Sequence, residues 1–428
     1  MTSLDPAPDG ATALGPDDAA AAVERVWRQE SSRLLGALLR ITHDLNRAED
    51  LAQEALAAAL AQWPRDGVPD NPGAWLMTTA KRRATDQLRA GERALRAYAT
   101  LSAEAAQSYE EEFALDHVED DVLRLMFICC HPSLTEETRT VLTLRLVAGL
   151  STREIARAYL TSEATVATRI SRAKKTLAAH RAAMDEPSGP ERAQRLASVM
   201  AAIYLLFNEG YAATAGVDWM RPALCAEAVR VATLLASVAP HEPEAHGLLA
   251  LLELHSSRLA ARADAAGDPV LLTDQDRAAW DRAAIARGYA ALGEALRLGG
   301  TGPYVLQAAI AAEHARASDV DSTDWARIAA LYRRLAETTG SVVVELNRAV
   351  ALGMAQGPEA GLSLVDEVAP ALPGYHLVPA VRGDLLARLG RCEEAADEFD
   401  RAASLATNDR ERALLRARAE RARAHHPS

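Results

Sequence analysis

Apolar residues recur at helical spacing from near the start of the chain. They stand three and four positions apart, which is the period of an amphipathic helix and not the alternation of a strand. In the first forty residues they are Val23, Val26, Trp27, Leu34, Leu35, Leu38 and Leu39. We expect residues 20–96 to form a helical domain, preceded by a disordered stretch over 1–19.

Two further helices of this domain are marked by turn-forming residues. One is predicted from about Arg47 to Trp63, closed by Pro64 and Gly67. Residues 64–73 contain three prolines and two glycines, a composition that is typical of a turn. Another helix is predicted from about residue 74 to residue 96.

A second helical domain, over 120–182, has the capping and turn residues of a helix-turn-helix. Its helices are predicted over Glu136–Val147, Thr152–Tyr159 and Glu163 to about His180. Gly149 supplies a left-handed end to the first of them. Ser151 and Glu154 have the spacing of a capping box for the second, and Ser162 can cap the third.

The third of these helices has the pattern of a recognition helix. Its buried stripe is predicted to be Val166, Ile170, Ala173 and Leu177. Short polar side chains near its start can approach base edges, and the basic side chains behind them can hold phosphates. The candidate DNA-binding residues are Thr165, Thr168, Arg169, Ser171, Arg172 and Lys175. The alternative is a solvated helix of an ordinary bundle.

Pro187 to Pro190 marks a boundary, and residues 191–428 are predicted to be all-helical. Near the end, small and large residues alternate in a way that resembles a tetratricopeptide repeat. The matching positions are Gly383, Leu386, Gly390, Ala395, Phe399 and Ala402. A degenerate second unit runs through 344–352 and Gly357. Such repeats bind peptides or helices in a groove, so a protein contact, within or between chains, is expected here; a purely structural extension is the alternative.

The 428-residue chain has a formal charge of −12, which by itself argues against a nucleic-acid partner. Residues 1–185 carry −5 of this charge and residues 186–428 carry −7. Inside the first part the signs separate: Lys81–Arg96 and Leu150–Met184 are basic, whereas Glu104–Asp121 holds eight acidic residues and no basic one. The net charge therefore conceals two candidate nucleic-acid surfaces joined by an acidic connector.

Four cysteines in so long a chain cannot form a disulfide framework, which indicates a reducing compartment. The acidic N-terminus has no signal-peptide pattern, and no apolar run approaches a membrane span, so a cytoplasmic protein is expected. The adjacent Cys129 and Cys130 are predicted to be buried apolar residues and not metal ligands. His241 and His246 are five apart with Pro243 between them, which does not fit the zinc-protease helix motif.

The two basic segments and their surroundings resemble one known family. Residues 20–96 are similar to region 2, and residues 120–182 to region 4, of sigma-70-family factors of bacterial RNA polymerase of the short extracytoplasmic-function type. The matching stretches are AEDLAQEAL over 48–56, AWL over 74–76, AKRRATD over 80–86, LSTREIA over 150–156 and TVATRISRAK over 165–174. The C-terminal half resembles the large tetratricopeptide-like extension of one subgroup, the DUF6596-like one.

The resemblance implies roles for individual residues. The acidic helix would dock on core RNA polymerase through Glu49, Asp50, Gln53 and Glu54. The opened −10 strand of promoter DNA would be held by Trp75, Lys81, Arg82 and Arg83. Met77 and Thr78 stand where Tyr and Arg are frequent in the family, and Arg82 stands where Asn is frequent. The resemblance therefore does not decide which −10 bases are recognised. Trp75 as a core residue, and the acidic residues as a solvated face, are the alternatives.

The sequence therefore predicts an all-α sigma factor that works by binding, with no catalytic site, cofactor or metal. Region 2 is assigned to 20–96, an acidic linker to 97–119 and region 4 to 120–182. Two other functions stay open. One is a helix-turn-helix regulator with a helical-repeat sensor domain, and the other is a helical scaffold that does not bind DNA.

Overall fold

The computed structural model describes residues 16–98, 118–159, 161–179, 189–211, 220–264, 269–406 and 408–424. In those ranges every regular element is a helix, apart from an isolated bridge between Ala263 and Pro269. The predicted all-α class is confirmed. The chain divides into two compact units, Met1–Ala202 and Ile203–Ser428.

The described helices of the first unit are α1 (Pro16–Thr42), α2 (Leu45–Asp66), α3 (Pro72–Tyr98), α4 (Val118–Cys129), α5 (Glu136–Leu142), a π-helix (Thr143–Val147), α6 (Thr152–Ala158), α7 (Glu163–Ala179) and the start of α8 (Gly189–Tyr211). The predicted helices are all present, with shifted ends. Residues 99–117, which hold most of the predicted acidic linker, lie outside the described part of the chain, as do residues 1–15 of the predicted disordered start. For residues 16–19 the prediction of disorder was wrong, because α1 already begins at Pro16.

Helix α1 is the central element of the first unit, because it packs against α2, α3 and α4. Its predicted apolar stripe is confirmed: Leu34 and Leu38 are almost completely buried. Gly36 faces α4 so closely that a Cβ atom there would lie 2.6 Å from the backbone oxygen of Asp121. Glycine is therefore the residue that allows α1 and α4 to cross at this point.

A buried ion pair fixes the same crossing. The Nε atom of Arg40 in α1 donates to both carboxylate oxygens of Asp121 in α4, at 3.0 and 3.2 Å. The Asp121 side chain is 2% exposed and that of Arg40 is 10% exposed. The last residue of the predicted acidic connector is thus part of the core of the first unit.

Helix α2 differs from its prediction at both ends. It begins at Leu45, because Asp44 caps it by accepting hydrogen bonds from the backbone N–H groups of Asn46 and Arg47. It continues through Pro64 to Asp66 and ends at Gly67, which has a φ of +81°. The prediction that Pro64 closes this helix was wrong, since proline's fixed φ is itself helical and only one backbone hydrogen bond is lost in the last turn.

The helix-turn-helix caps are confirmed. Glu154 accepts from the backbone N–H of Ser151 at 2.8 Å, and Ser151 Oγ accepts from the backbone N–H of Glu154 at 3.2 Å. Ser162 Oγ accepts from the backbone N–H of Thr165 at 3.1 Å. Gly149 has a φ of +73°, as its predicted role requires.

The helix before Gly149 is not the single α-helix that was predicted. It is α-helical over Glu136–Leu142 and then π-helical over Thr143–Val147. Thr143, Leu144, Leu146 and Val147 are all buried. A π turn is wider than an α-helical turn. It places these residues together on the packed side, whereas a regular α-helix would distribute them around its axis.

The cysteine pair is buried as predicted. Cys129 is 0% and Cys130 is 1% exposed. Burial raises the pKa of the Cys129 thiol well above its ordinary value and that of Cys130 to about 11. Both side chains are therefore protonated, apolar core residues at neutral pH.

The described α-helices of the second unit are the end of α8, α9 (Pro222–Val238), α10 (Pro243–Ser256), α11 (Arg282–Arg297), α12 (Pro303–Arg316), α13 (Trp325–Thr339), α14 (Val342–Ala355), α15 (Pro358–Val368), α16 (Leu377–Arg388), α17 (Cys392–Leu405) and α18 (Asp409–Ala424), with short 3₁₀ helices between some of them. Most of these helices pack pairwise against their neighbours in sequence, and α10 also packs against α12.

The predicted repeat positions lie at such a pair. A Cβ on Gly383 in α16 would come within 2.7 Å of the Phe399 ring in α17, so the small residue admits the large one. Phe399 and Ala395 are buried, and Gly390 turns the chain between the two helices with a φ of +73°. The second predicted unit corresponds to α14 and α15, with Gly357 at a φ of +106° between them.

None of the helices in the described ranges combines the length and the apolar character needed to cross a membrane.

Candidate nucleic-acid interface

Helix α7 presents one buried stripe and one accessible polar face. The stripe is the predicted one, consisting of Val166, Ile170, Ala173 and Leu177. Among the candidate DNA-binding residues, Thr168, Ser171, Arg172 and Lys175 are exposed, while Thr165 and Arg169 are half-buried. The cations of this face are therefore available to a polyanion over about two helical turns.

Several polar groups of this face are already engaged within the molecule. The Thr168 hydroxyl donates to the backbone oxygen of Ala164 at 2.8 Å, so it meets a base edge with its methyl group or as an acceptor. Thr165 and Ser162 share a hydroxyl hydrogen bond at 2.8 Å. Arg169 forms an ion pair with Glu137 at 2.5 Å. Arg172 is the exposed guanidinium of the set, and it has the fork geometry that suits both guanine and phosphate.

Trp75 lies in the first turn of α3, next to the loop that precedes this helix. Its ring is half-buried and packs edge-on against the buried Trp63 ring, with centroids 5.7 Å apart and an interplanar angle of 67°. Asn71 begins the helix by accepting from the backbone N–H of Ala74 at 3.0 Å. Trp63 therefore packs against one side of Trp75, and part of the Trp75 ring stays accessible.

The basic residues that follow Trp75 differ in accessibility. Arg82 is exposed, whereas Lys81 and Arg83 are half-buried. Arg83 forms an ion pair with Glu54 of α2 at 3.0 Å. The pair joins a predicted −10 residue to a predicted polymerase-binding residue, which ties the basic helix to the acidic one.

The acidic residues of α2 do not form one uniform face. Asp50 and Gln53 are exposed and Glu54 is half-exposed, whereas the Glu49 side chain is only 13% exposed. Glu49 forms an ion pair with Lys174 of α7. The structure thus brings the acidic helix and the candidate recognition helix into direct contact.

A groove of about 410 Å³ lies along this contact. Glu49 and Asn46 line it from α2, and Ser171, Lys174 and Lys175 line it from α7. A hydrogen bond between Trp27 Nε1 and the backbone oxygen of Gly149, at 3.0 Å, joins α1 to the helix-turn-helix nearby. In this arrangement Ser171 and Lys175 face the groove.

Sequence reasoning missed the part that Lys174 plays here. Lys174 is one of only three lysines in the sequence, and it is not among the predicted site residues. Its partner is 125 positions away, and no local spacing identifies such a pair. The concentration of lysines at 81, 174 and 175 is the signal that could have directed attention to it.

Three family models match the chain, and each covers one part of it. The model "Sigma-70 region 2" matches residues 26–94, and "Sigma-70, region 4" matches residues 124–177. The "Family of unknown function (DUF6596)" matches residues 195–296. Helices α1–α3 therefore correspond to region 2, and α4–α7 to region 4.

Relatives are similar either to most of the chain or to about a third of it. An uncharacterized protein of Rhizobium meliloti (strain 1021) is 46% identical over 386 residues, which are 89% of this chain and 91% of the relative. The RNA polymerase sigma-H factor of Pseudomonas aeruginosa is 30% identical over 152 residues, 34% of this chain and 78% of that factor. The ECF RNA polymerase sigma factor SigK of Mycobacterium sp. (strain KMS) is 28% identical over 153 residues, 34% of this chain and 75% of that factor. No solved structure matches the chain significantly. With regions 2 and 4 matched in order, and with a named factor covered over most of its length, the chain belongs to the sigma-70 family of RNA polymerase sigma factors.

Proposed function

We propose that this protein directs core RNA polymerase to particular promoters and helps to open them, in the cytoplasm, by binding and without chemistry of its own. The observation that carries the proposal is that two features occur in the same unit. The first is the exposed cationic face of α7, in a helix-turn-helix whose helices are capped. The second is Trp75 at the start of a basic helix. A simple DNA-binding regulator needs the first of these features and has no use for the second.

Each predicted residue has a place in this proposal. In region 4, Thr165, Thr168, Arg169, Ser171, Arg172 and Lys175 would meet the −35 element in the major groove. In region 2, Trp75, Lys81, Arg82 and Arg83 would hold the melted −10 strand. Stacking of an unpaired base on an aromatic ring contributes about 1–3 kcal/mol, and nearby cations hold the backbone.

Core polymerase would be bound by the acidic helix through Glu49, Asp50, Gln53 and Glu54. Glu49 can reach a partner only after its contact with Lys174 opens, because the pair leaves its carboxylate almost completely covered. Ser171 and Lys175 likewise face the α2–α7 groove. We infer that the contact between regions 2 and 4 separates when polymerase and promoter bind.

Lys174→Gln is expected to tighten binding to core polymerase by about two- to fivefold in the absence of DNA, because it removes an ion pair of up to about 1 kcal/mol that opposes opening. Fluorescence anisotropy of the labelled full chain with core polymerase measures this affinity. Arg333→Gln, which makes the same charge change at an exposed arginine of α13, is the control. Equal affinities for Lys174→Gln and the unchanged chain would contradict the opening step.

Promoter-dependent initiation is the test of the proposed function. The full chain and core polymerase are incubated with fragmented genomic DNA of the source organism, and the 5′ ends of the transcripts are sequenced. Defined start sites that share upstream elements are expected. Trp75→Ala is expected to reduce open-complex formation by about 5- to 150-fold, the equivalent of a 1–3 kcal/mol stacking contact, while Trp75→Phe retains most of it.

The matched control is Leu296→Ala, which removes a 56%-exposed apolar side chain in the second unit. Specific DNA binding without polymerase, and no start sites with it, would favour the helix-turn-helix regulator. If the chain neither binds DNA nor supports initiation, the result would favour the scaffold.

The second unit is proposed to make a protein contact, within the chain or with a partner. A cavity of about 630 Å³ lies between α14, α16, α17 and α18. It combines apolar residues such as Val350 with arginines and with the two aspartates Asp274 and Asp384. This mixture of apolar and charged residues suits a peptide segment.

A further inference from the structure

Arg258 lies at the centre of a group of neutral and aromatic side chains in the second unit. Its Nη2 atom donates to the hydroxyl of Tyr211 at 2.5 Å and contacts His255 Nδ1 at 2.7 Å. Its guanidinium carbon is 5.7 Å from the centroid of the Trp280 ring. Among the described residues no carboxylate is bonded to this guanidinium, and its second terminal nitrogen, Nη1, has two N–H donors to offer.

A cavity of about 170 Å³ lies on one side of Arg258. Its polar wall is formed by Arg258, His255 and His314, together with the amide side chains of Gln307 and Asn347. Its apolar wall consists of Leu272, Ile310, Ala311, Leu335 and Val344. Convergent polar groups on one side and apolar groups on the other are the composition of a small-molecule site.

His314 is the second feature that indicates a ligand. The residue is 8% exposed, and among the described residues its Nδ1 atom is buried with no hydrogen-bond partner. A buried polar atom without a partner costs about 1–3 kcal/mol, so such atoms call for an explanation. A molecule in the cavity that His314 lines can supply the missing hydrogen bond.

The charge in the cavity comes from Arg258 and not from the histidines. Burial and the nearby Arg258 and Arg277 lower the pKa of His314 to about 3. Burial, with Arg258 and Arg262 near it, lowers the pKa of His255 well below its ordinary value. Both imidazoles are therefore neutral at pH 7, and one fixed positive charge faces a half-apolar space.

We propose that this cavity binds a small organic carboxylate, with its carboxylate group on Arg258 and a hydrogen bond to His314. A single cation with neutral imidazoles and apolar walls matches a monoanion with a short carbon chain better than a phosphate dianion. The volume equals that of about five or six water molecules, which suits an acid of a few carbons.

Arg258 also borders a second cavity, of about 370 Å³, which shares Leu272 with the first. Tyr211 and Arg262 line this larger space, and the Arg262 guanidinium stacks 3.4 Å from the Tyr211 ring centroid. Burial lowers the pKa of Arg262 to about 10, so it stays cationic at pH 7. A carboxylate in the larger cavity would thus lie near two cations, Arg258 and Arg262, and one acid, Glu411.

Isothermal titration of the full chain at pH 7 tests the proposal with four probes: propionate, butyrate, pyruvate and succinate, as sodium salts. Propionamide, a neutral analogue, and sodium chloride at equal ionic strength are the comparison solutes. At least one monocarboxylate is expected to bind at least tenfold more tightly than propionamide. Arg258→Gln is expected to weaken that binding at least tenfold, whereas Arg333→Gln, which changes an exposed arginine of α13, leaves it unchanged.

Arg258→Gln removes a buried interaction, so two further variants keep the test decisive if that variant does not fold. Ala311→Leu fills the cavity while all its charges stay in place, and it should abolish binding. Arg258→Lys keeps the charge without the fork, and it should give intermediate affinity. The proposal is overturned if none of the four acids binds, if propionamide binds equally well, or if the Ala311→Leu chain retains full affinity. Initiation at promoters is not measured here, so these outcomes are separate from those that test the proposed function.

Discussion

Asp121→Ala is expected to lower the free energy of unfolding of the first unit by about 3–5 kcal/mol, because it leaves the buried guanidinium of Arg40 without its carboxylate. The loss falls where α1 and α4 cross, so region 4 should lose its attachment to region 2 before α2 unfolds. Hydrogen exchange of peptides from α1 and α4 in the full chain measures this locally, which avoids treating a two-unit protein as two-state.

The double variant Arg40→Met with Asp121→Leu is the matched control. It replaces both charges with apolar groups of similar length, and replacing a buried pair in this way is often neutral or stabilising. Protection in α1 close to that of the unchanged chain is therefore expected. If Asp121→Ala alone leaves exchange in α1 and α4 unchanged, the pair does not hold the crossing together.

The second large effect is expected at α7. Replacing Arg172 and Lys175 together with alanine should weaken promoter binding by the assembled polymerase by about 10- to 1,000-fold. Loss of an arginine contact to a base costs about 1–3 kcal/mol, and each lost phosphate contact lowers the salt slope by about 0.9. Affinity measured from 50 to 200 mM salt gives both quantities.

The control for this variant is Arg333→Ala with Arg334→Ala, because these two exposed arginines of α13 make the same change in net charge outside region 4. It should leave the promoter affinity and the salt slope unchanged. An equal loss in both double variants would mean that net charge, and not the face of α7, determines the affinity.

Local rules predicted the parts of the fold that local interactions determine. The Ser151–Glu154 capping box, the cap at Ser162 and the left-handed Gly149 are each decided within a few residues, and all are present. The stripe of α7 and the Gly383–Phe399 contact follow from spacing in the same way. The helix ends were less accurate, since Asp44 was not recognised as a cap.

The contacts that join distant segments could not be predicted. In the sequence, Asp121 resembles the other acidic residues of the connector, and Arg40 resembles a surface residue at a helix end. Only the packing of α4 on α1 shows that the two form a buried pair. Glu49 and Lys174 are too far apart in sequence for any local pattern to predict their contact. The candidate residues of α7 and α3 could be named from the sequence, but their competition with internal partners such as Glu137 and Glu54 depends on tertiary packing.

The π turn over Thr143–Val147 sets the rotational register between region 4 and α1. One residue fewer would turn this segment into a regular α-helix and would rotate everything after it by about 100° around the helix axis. The Gly149 carbonyl would then swing away from Trp27, and the backbone at Gly149, where a Cβ would already lie 2.6 Å from Ser31 Oγ, would no longer fit against α1. A single-residue deletion here would therefore re-aim the recognition helix while leaving its own sequence and caps untouched.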